Sequence, residues 1–194
     1  MGLVLNPRGA GGAGKTELVR RIMVSYRDAE AVHRPGRSRP ILYRLAHPAG
    51  GRKLVVLGHY ERRSGGCDTV TLRDGGMAEV FRLAAQSAAR GHDVLLEGLR
   101  LSEDHAFSAA LAARHDLHVL RLTTPPETCA RNLLARRRAG AAARPAYADA
   151  ASLQHRRIAE ACARLEGRAR VEHLGFDAAL RRARALLALP FSEG

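Results

Sequence analysis

Gly9-Ala10-Gly11-Gly12-Ala13-Gly14-Lys15-Thr16 fits G-x-x-x-x-G-K-[ST] at every position. It lies between an apolar run, Leu3-Val4-Leu5, and a segment from Thr16 to about Tyr26 in which Leu18, Val19, Ile22 and Met23 recur at helical spacing. Strand, glycine-rich loop and helix in that order leave few folds open. The glycines let the backbone curl until successive N–H groups face one anion, and the helix adds its positive amino end. Gly9, Gly11, Gly12, Ala13, Gly14, Lys15 and Thr16 are therefore candidate nucleotide-binding residues. Lys15 would bridge the β- and γ-phosphates and the Thr16 hydroxyl would ligate magnesium, so the pattern implies ATP and Mg2+. Lysine is scarce, occurring only at Lys15 and Lys53.

The remaining chain alternates strand and helix signals. Ile41 to Leu45 and Lys53 to Leu57 read as two strands joined across His47 to Gly51, after a basic loop over residues 33–40. Residues 58–76 are punctuated by Gly65-Gly66 and Gly75-Gly76 and read as a site loop. Met77 to Arg90 is a predicted helix stopped by Gly91, and Val94-Leu95-Leu96 a predicted buried strand. Ser102 to Arg114 reads as one helix with Ser102 as its cap, then Leu117 to Leu122 as strand. Pro125 to Arg138 reads as helix, Ala139 to Tyr147 as a break, and Asp149 to Glu166 as helix. A strand near Val171 to Leu174 and a helix from Asp177 to Leu189 close the chain. The expected architecture is α/β, a mostly parallel central sheet with helices on both faces, in one domain over residues 1–194.

In such sheets reactive groups gather at the carboxyl ends of the parallel strands. Glu97 directly follows Val94-Leu95-Leu96 and is the candidate metal-side carboxylate, with a structural role as its rival; Asp93, at the opposite end of that strand, is a poor candidate. A phosphoryl acceptor hydroxyl needs a carboxylate to orient it and take its proton. Asp68, bordered by Gly65-Gly66-Cys67 and Thr69, can serve, but Glu61 and Asp74 compete with it and a turn-making aspartate fits the spacing equally well. Arg131, Arg136, Arg137 and Arg138 occupy a helix and its exit, where a lid over residues 131–147 would bring some of them to the transferring phosphate. Two helical turns separate the first from the last, so they cannot all face it.

Charge adds a partner. Lys+Arg total 32 against 19 Asp+Glu, a net +13 that exceeds what solubility needs and favours a polyanion, nucleic acid above membrane. Aromatic residues make up only 4%, so an extended base-stacking groove is not evident. Cys67, Cys129 and Cys162 have no metal or disulfide spacing, and the scattered histidines form no metal cluster. No apolar run approaches the roughly 20 residues that span a bilayer, and the amino end lacks a secretion pattern; a soluble, cytoplasmic protein is expected.

Over roughly residues 1–140 the chain resembles the phage P-loop kinases that phosphorylate 5-hydroxymethyluracil in DNA. The resemblance rests on Gly9 to Thr16, Gly58-His59-Tyr60 with Gly65-Gly66-Cys67-Asp68-Thr69, Glu97-Gly98 followed by Ser102, and Arg131-Asn132 with the arginines after it. It implies the three-layer P-loop kinase fold and a host-cytoplasmic setting. It also implies catalytic roles for Lys15, Asp68, Arg131 and Arg136, with Asp68 as base, and metal-side roles for Thr16 and Glu97. DNA as substrate would give the excess arginine an anion to meet. The alternatives are a small-molecule or polynucleotide 5′-hydroxyl kinase and a nucleotide-dependent DNA-binding regulatory NTPase. Residues beyond about 145 carry no motif.

Overall fold

The structure, a computed structural model, describes residues 2–61 and 65–190; Arg62, Arg63 and Ser64 of the anticipated site loop fall outside it. β1 (Leu3–Arg8) leads through the glycine-rich loop into α1 (Lys15–Met23). β2 (Arg27–Val32), β3 (Leu42–Ala46) and β4 (Leu54–Leu57) follow, then two short 3-10 turns, Cys67–Thr69 and Leu72–Asp74. Next come α2 (Gly76–Ala89), β5 (Asp93–Leu96), α3 (Leu99–Glu103), α4 (Ala106–Ala112) and β6 (Asp116–Leu122). α5 (Pro126–Arg137), α6 (Arg144–Ala163), β7 (Arg170–Leu174) and α7 (Phe176–Leu186) complete the order.

The seven strands form one sheet, ordered β2-β3-β4-β5-β1-β6-β7. From β4 to β7 neighbours run parallel, whereas β2, β3 and β4 are joined antiparallel. Alternation along the buried strands divides the core in two. Leu3, Leu5, Leu95, Leu120 and Leu122 face the layer of α1 and α7, where Leu18, Val19, Ile22, Ala179 and Ala183 pack. Val4, Val94, Leu96, Leu117 and Val119 face Val80, Phe81, Ala84, Leu111, Ile158 and Cys162 on the other side. With both faces covered, every residue of β1 and β5 is buried. This is the three-layer arrangement that strand–helix alternation predicts. Among the described residues no helix is long and apolar enough to cross a membrane.

Three elements depart from expectation. β2 has no apolar alternation because it is an edge strand: five of its six residues are exposed and carry charge or a short side chain, which keeps the edge soluble. The helix expected from Ser102 to Arg114 is two helices. Asp104 is extended (φ −79°, ψ 141°), and its carboxylate accepts from the Ser108 amide (2.9 Å) and hydroxyl (2.8 Å), starting α4 anew. Ser102 is thus not the cap; its hydroxyl donates to the Gly98 carbonyl at 2.7 Å. The break after α5 is shorter than Ala139 to Tyr147. Arg138 turns left-handed (φ 53°), a 3-10 turn spans Ala141–Ala143, and α6 already begins at Arg144.

The α3–α4 break is stabilised by Arg8, fully buried at the end of β1. Its guanidinium donates to the Asp104 carbonyl (2.6 Å), to Ser108 Oγ (2.6 Å) and to Asn6 Oδ1 (2.7 Å). Burial lowers its pKa, with Cys162 and Asp104 opposing the shift. Asp93 is structural as well: Oδ1 accepts from the Leu3 amide (2.9 Å) and from Arg52 (2.8 Å), away from the carboxyl ends.

Candidate active site

β1 and β5 are adjacent and parallel, so the glycine-rich loop after the first and Glu97 after the second emerge side by side. Beyond these ends lies a cleft of about 860 Å³, walled by Gly11 to Arg21 on one side and by Arg39, Gly65, Asp68, Thr69 and Thr71 on another. Glu97 lies between them, while Thr124, Asn132, Arg136, Gln154 and Phe176 close the far side. The cleft is near the upper end of the ordinary range of small-molecule sites, about 300–1,000 Å³.

Lys15 is buried, and its ammonium donates to the carbonyls of Gly9 (2.6 Å) and Ala10 (3.1 Å). Burial lowers its pKa, against the pull of the Glu97 and Asp68 carboxylates. Glu97 is also buried, and that burial lifts its pKa to about 7 although Lys15 and a hydrogen bond from Thr16 oppose the rise. Thr16 Oγ1 donates to Glu97 Oε1 at 3.0 Å. Two hard oxygen atoms therefore converge at the mouth of the loop, the donor chemistry of a Mg2+ ion completed by waters and substrate phosphates. Among the described residues no three His, Cys, Asp or Glu side chains lie close enough together to hold a metal ion.

Asp68 reaches the same cleft from the loop after β4. The Cys67 amide donates to the Glu97 carbonyl (2.7 Å), tying that loop to the end of β5. Gly66 makes the approach feasible, since it is left-handed (φ 86°) and a Cβ there would collide with Glu97 Oε1. The Asp68 carboxylate accepts from the amides of Leu99 (2.6 Å) and Arg100 (3.2 Å) at the start of α3. Each oxygen keeps a lone pair for a further donor. Of the sequence rivals, Asp74 is engaged in its own turn and with Arg37, and Glu61 receives the Tyr43 hydroxyl at 3.3 Å; neither lines the cleft.

Arg136 and Arg137 line the cleft, and the charge of Arg136 is felt at both Lys15 and Glu97. Arg137 also stacks on Tyr147, 5.4 Å from the ring centroid. Arg131 is exposed on α5 and is not among the lining residues. Five residues apart on a helix are about 140° apart around its axis, so the two sites assigned to Arg131 and Arg136 face different directions.

Of the side chains that hold the loop, Asn132 belongs to the Arg131-Asn132 motif, whereas Gln154, Thr124 and Phe176 were not marked by any motif. Gln154 of α6 accepts from the Gly11 amide (2.8 Å), Asn132 donates to the Gly12 carbonyl (2.9 Å), and Thr124 donates to the Ala13 carbonyl (2.9 Å). Phe176 packs on the loop so closely that a Cβ at Gly14 would lie 2.9 Å from its ring. The region beyond residue 145 thus contributes to the site. Strand-end logic signals Phe176, two residues past β7; nothing local signals Gln154, whose helix reaches the loop only through packing against α5.

Comparison with known proteins agrees with this geometry. The chain is 40% identical over 135 residues to a protein named 5-hmdU DNA kinase from Pseudomonas phage PaMx11, a match covering 69% of each chain. This chain belongs to the 5-hmdU DNA kinase family. No family model matches it. For a 5-hmdU DNA kinase family member, the loop, the two carboxylates and the arginines around one cleft form a coherent set, and a nucleotide phosphate donor follows from the kinase family.

Proposed function

We propose that this protein transfers the γ-phosphoryl group of ATP to the 5-hydroxymethyl group of 5-hydroxymethyluracil in DNA. The observation that carries the reading is that Asp68 opens onto the same cleft as Lys15 and Thr16, with Glu97 between them. The name of the phage relative supports the acceptor.

The amides of Gly11 to Thr16 and the Lys15 ammonium bind the β- and γ-phosphates. Thr16 and Glu97 would hold Mg2+, which would supply charge neutralisation at the phosphate oxygens. Asp68 accepts the hydrogen bond of the hydroxymethyl group, aims its oxygen and takes its proton as the new P–O bond forms and the bond to the β-phosphate oxygen breaks. Arg136 stabilises charge on the group in transit, and residues 131–147 act as the lid that carries Arg131 and Arg136 within the single domain of residues 1–194. DNA is bound mainly through arginine–phosphate contacts, so affinity falls steeply with salt.

The test is transfer of labelled γ-phosphate to DNA containing 5-hydroxymethyluracil, beside unmodified DNA, with the product digested to nucleosides. Label confined to the modified base is expected. Equal labelling of both DNAs, or of neither, overturns the proposal, and label on a terminal hydroxyl would make the protein a polynucleotide kinase.

A further inference from the structure

The cleft wall opposite the phosphate loop is formed by two segments clamped together. Arg37 joins them, pairing with the Asp74 carboxylate while donating to the carbonyls of Thr69 (3.0 Å) and Arg39 (2.8 Å). Arg34 adds a bond to the Asp74 carbonyl (2.9 Å) and an ion pair with Glu79. The turn itself is capped from both ends: the Thr71 amide and hydroxyl donate to Asp74 Oδ2 (3.0 and 2.8 Å), and the Gly76 amide returns to the Thr71 carbonyl (2.8 Å).

This braced turn holds Leu72 out into solvent at 85% exposure, directly beside Thr71, which lines the cleft. Among the described residues Val24 is the other large apolar side chain exposed to this extent (82%), and it lies past the carboxyl end of α1, away from the phosphate loop. Two cations accompany this turn: Arg73, the chain neighbour of Leu72, and Arg39, which lines the same cleft as Thr71. Both are exposed, and among the described residues neither guanidinium has a hydrogen-bond or ion-pair partner. A rigid apolar tip next to one unpaired cation, with a second on the cleft wall, matches a DNA duplex, whose phosphates meet the cations and whose base stack admits an apolar wedge.

We infer that Leu72 inserts into the base stack of the substrate duplex and fills the gap left when the modified nucleotide rotates into the cleft. This rests on the kinase reading above. A stacked base has neighbours on both faces and cannot enter a cleft walled by Asp68, Thr69 and Thr71; taking the nucleotide out of the stack removes that obstacle. The wedge stabilises the opened duplex and contributes nothing on a single strand.

The test compares wild type, Leu72→Ser and Leu72→Phe on duplex and single-stranded oligonucleotides carrying 5-hydroxymethyluracil. Leu72→Ser should lower kcat/KM on the duplex about tenfold or more and alter it less than about twofold on the single strand, while Leu72→Phe stays near wild type on both. A fluorescent purine analogue next to the modified base reports unstacking without any transfer step; its signal should rise with wild type and fail to rise with Leu72→Ser. An equal loss on both substrates, an undiminished duplex rate or a rise retained by Leu72→Ser overturns the wedge. Absence of labelling on every DNA would overturn the kinase reading instead, and the fluorescence comparison would still decide the insertion.

Discussion

Thr16 Oγ1 and Glu97 Oε1 lie 3.0 Å apart although 81 positions separate them in the chain. Their contact joins the first turn of α1 to the end of β5, and it exists because β1 and β5 pair in parallel with Leu5 opposite Leu95. With Lys15 beside the pair and Asp68 across the cleft, it defines where a phosphoryl group would be handled.

Lys15→Ala should leave the fold intact by circular dichroism and reduce phosphoryl transfer by about a hundredfold or more, because in the proposed site the ammonium is the cation that meets the phosphates. Turnover near wild type would show that the loop does not hold the reacting nucleotide.

Asp68→Asn keeps an oxygen for one of the two α3 amides and removes the proposed base. Transfer should fall about 10²- to 10⁴-fold in kcat with little change in the KM for ATP. If transfer to DNA proved dispensable and only ATP hydrolysis mattered, the variant would retain full function, as a nucleotide-dependent regulatory protein requires.

Glu97 offers a pH signature. Folding lifts its pKa from 4.5 to about 7 by burial, against the opposing effects of Lys15 and Thr16. A carboxyl with a raised folded pKa contributes stability below its ordinary pKa and loses that contribution as pH rises toward the folded value. In chelator, wild type should therefore lose stability relative to Glu97→Gln between about pH 4.5 and 7, by an amount on the order of 1–3 kcal/mol, and no further above that range. Denaturant titrations of both proteins at four pH values measure it; a difference independent of pH would mean that Glu97 titrates normally.

Arg136→Ala should lower kcat about a hundredfold, and Arg131→Ala only a few-fold, because the first side chain faces the cleft and the second does not. Steady-state rates of the two variants decide this. The opposite ranking would require α5 to turn when the lid closes.

Arg8→Leu should destabilise the protein by about 3 kcal/mol or more in urea unfolding, since the buried Asn6 Oδ1 and Ser108 hydroxyl would lose their donor and the α3–α4 break its bond at the Asp104 carbonyl. Loss below about 0.5 kcal/mol would mean that water replaces the guanidinium freely.

Local sequence determined the parts of this protein that rest on short-range physics. The loop from Gly9 to Thr16 is legible because its conformation is written in consecutive residues, and the β3–β4 hairpin and buried strands β1, β5 and β6 are legible because contiguous apolar residues cannot stay in water. Strand-end logic placed Glu97 beside the loop. β2 was not legible, because an edge strand needs hydrogen bonds rather than apolar alternation, and the α3–α4 break was hidden because Asp104 caps it with help from Arg8, 96 positions away.

Tertiary structure decided the rest. Asp68 lines the cleft, as Glu61 and Asp74 do not, because Gly66 lets its loop close on β5 while Asp74 is held by its own turn. Gln154 and Phe176 reach the phosphate loop, and Leu72 reaches solvent beside the cleft, through packing between segments far apart in sequence. Such proximity arises from layers stacking on a sheet, and no residue's immediate neighbours encode it.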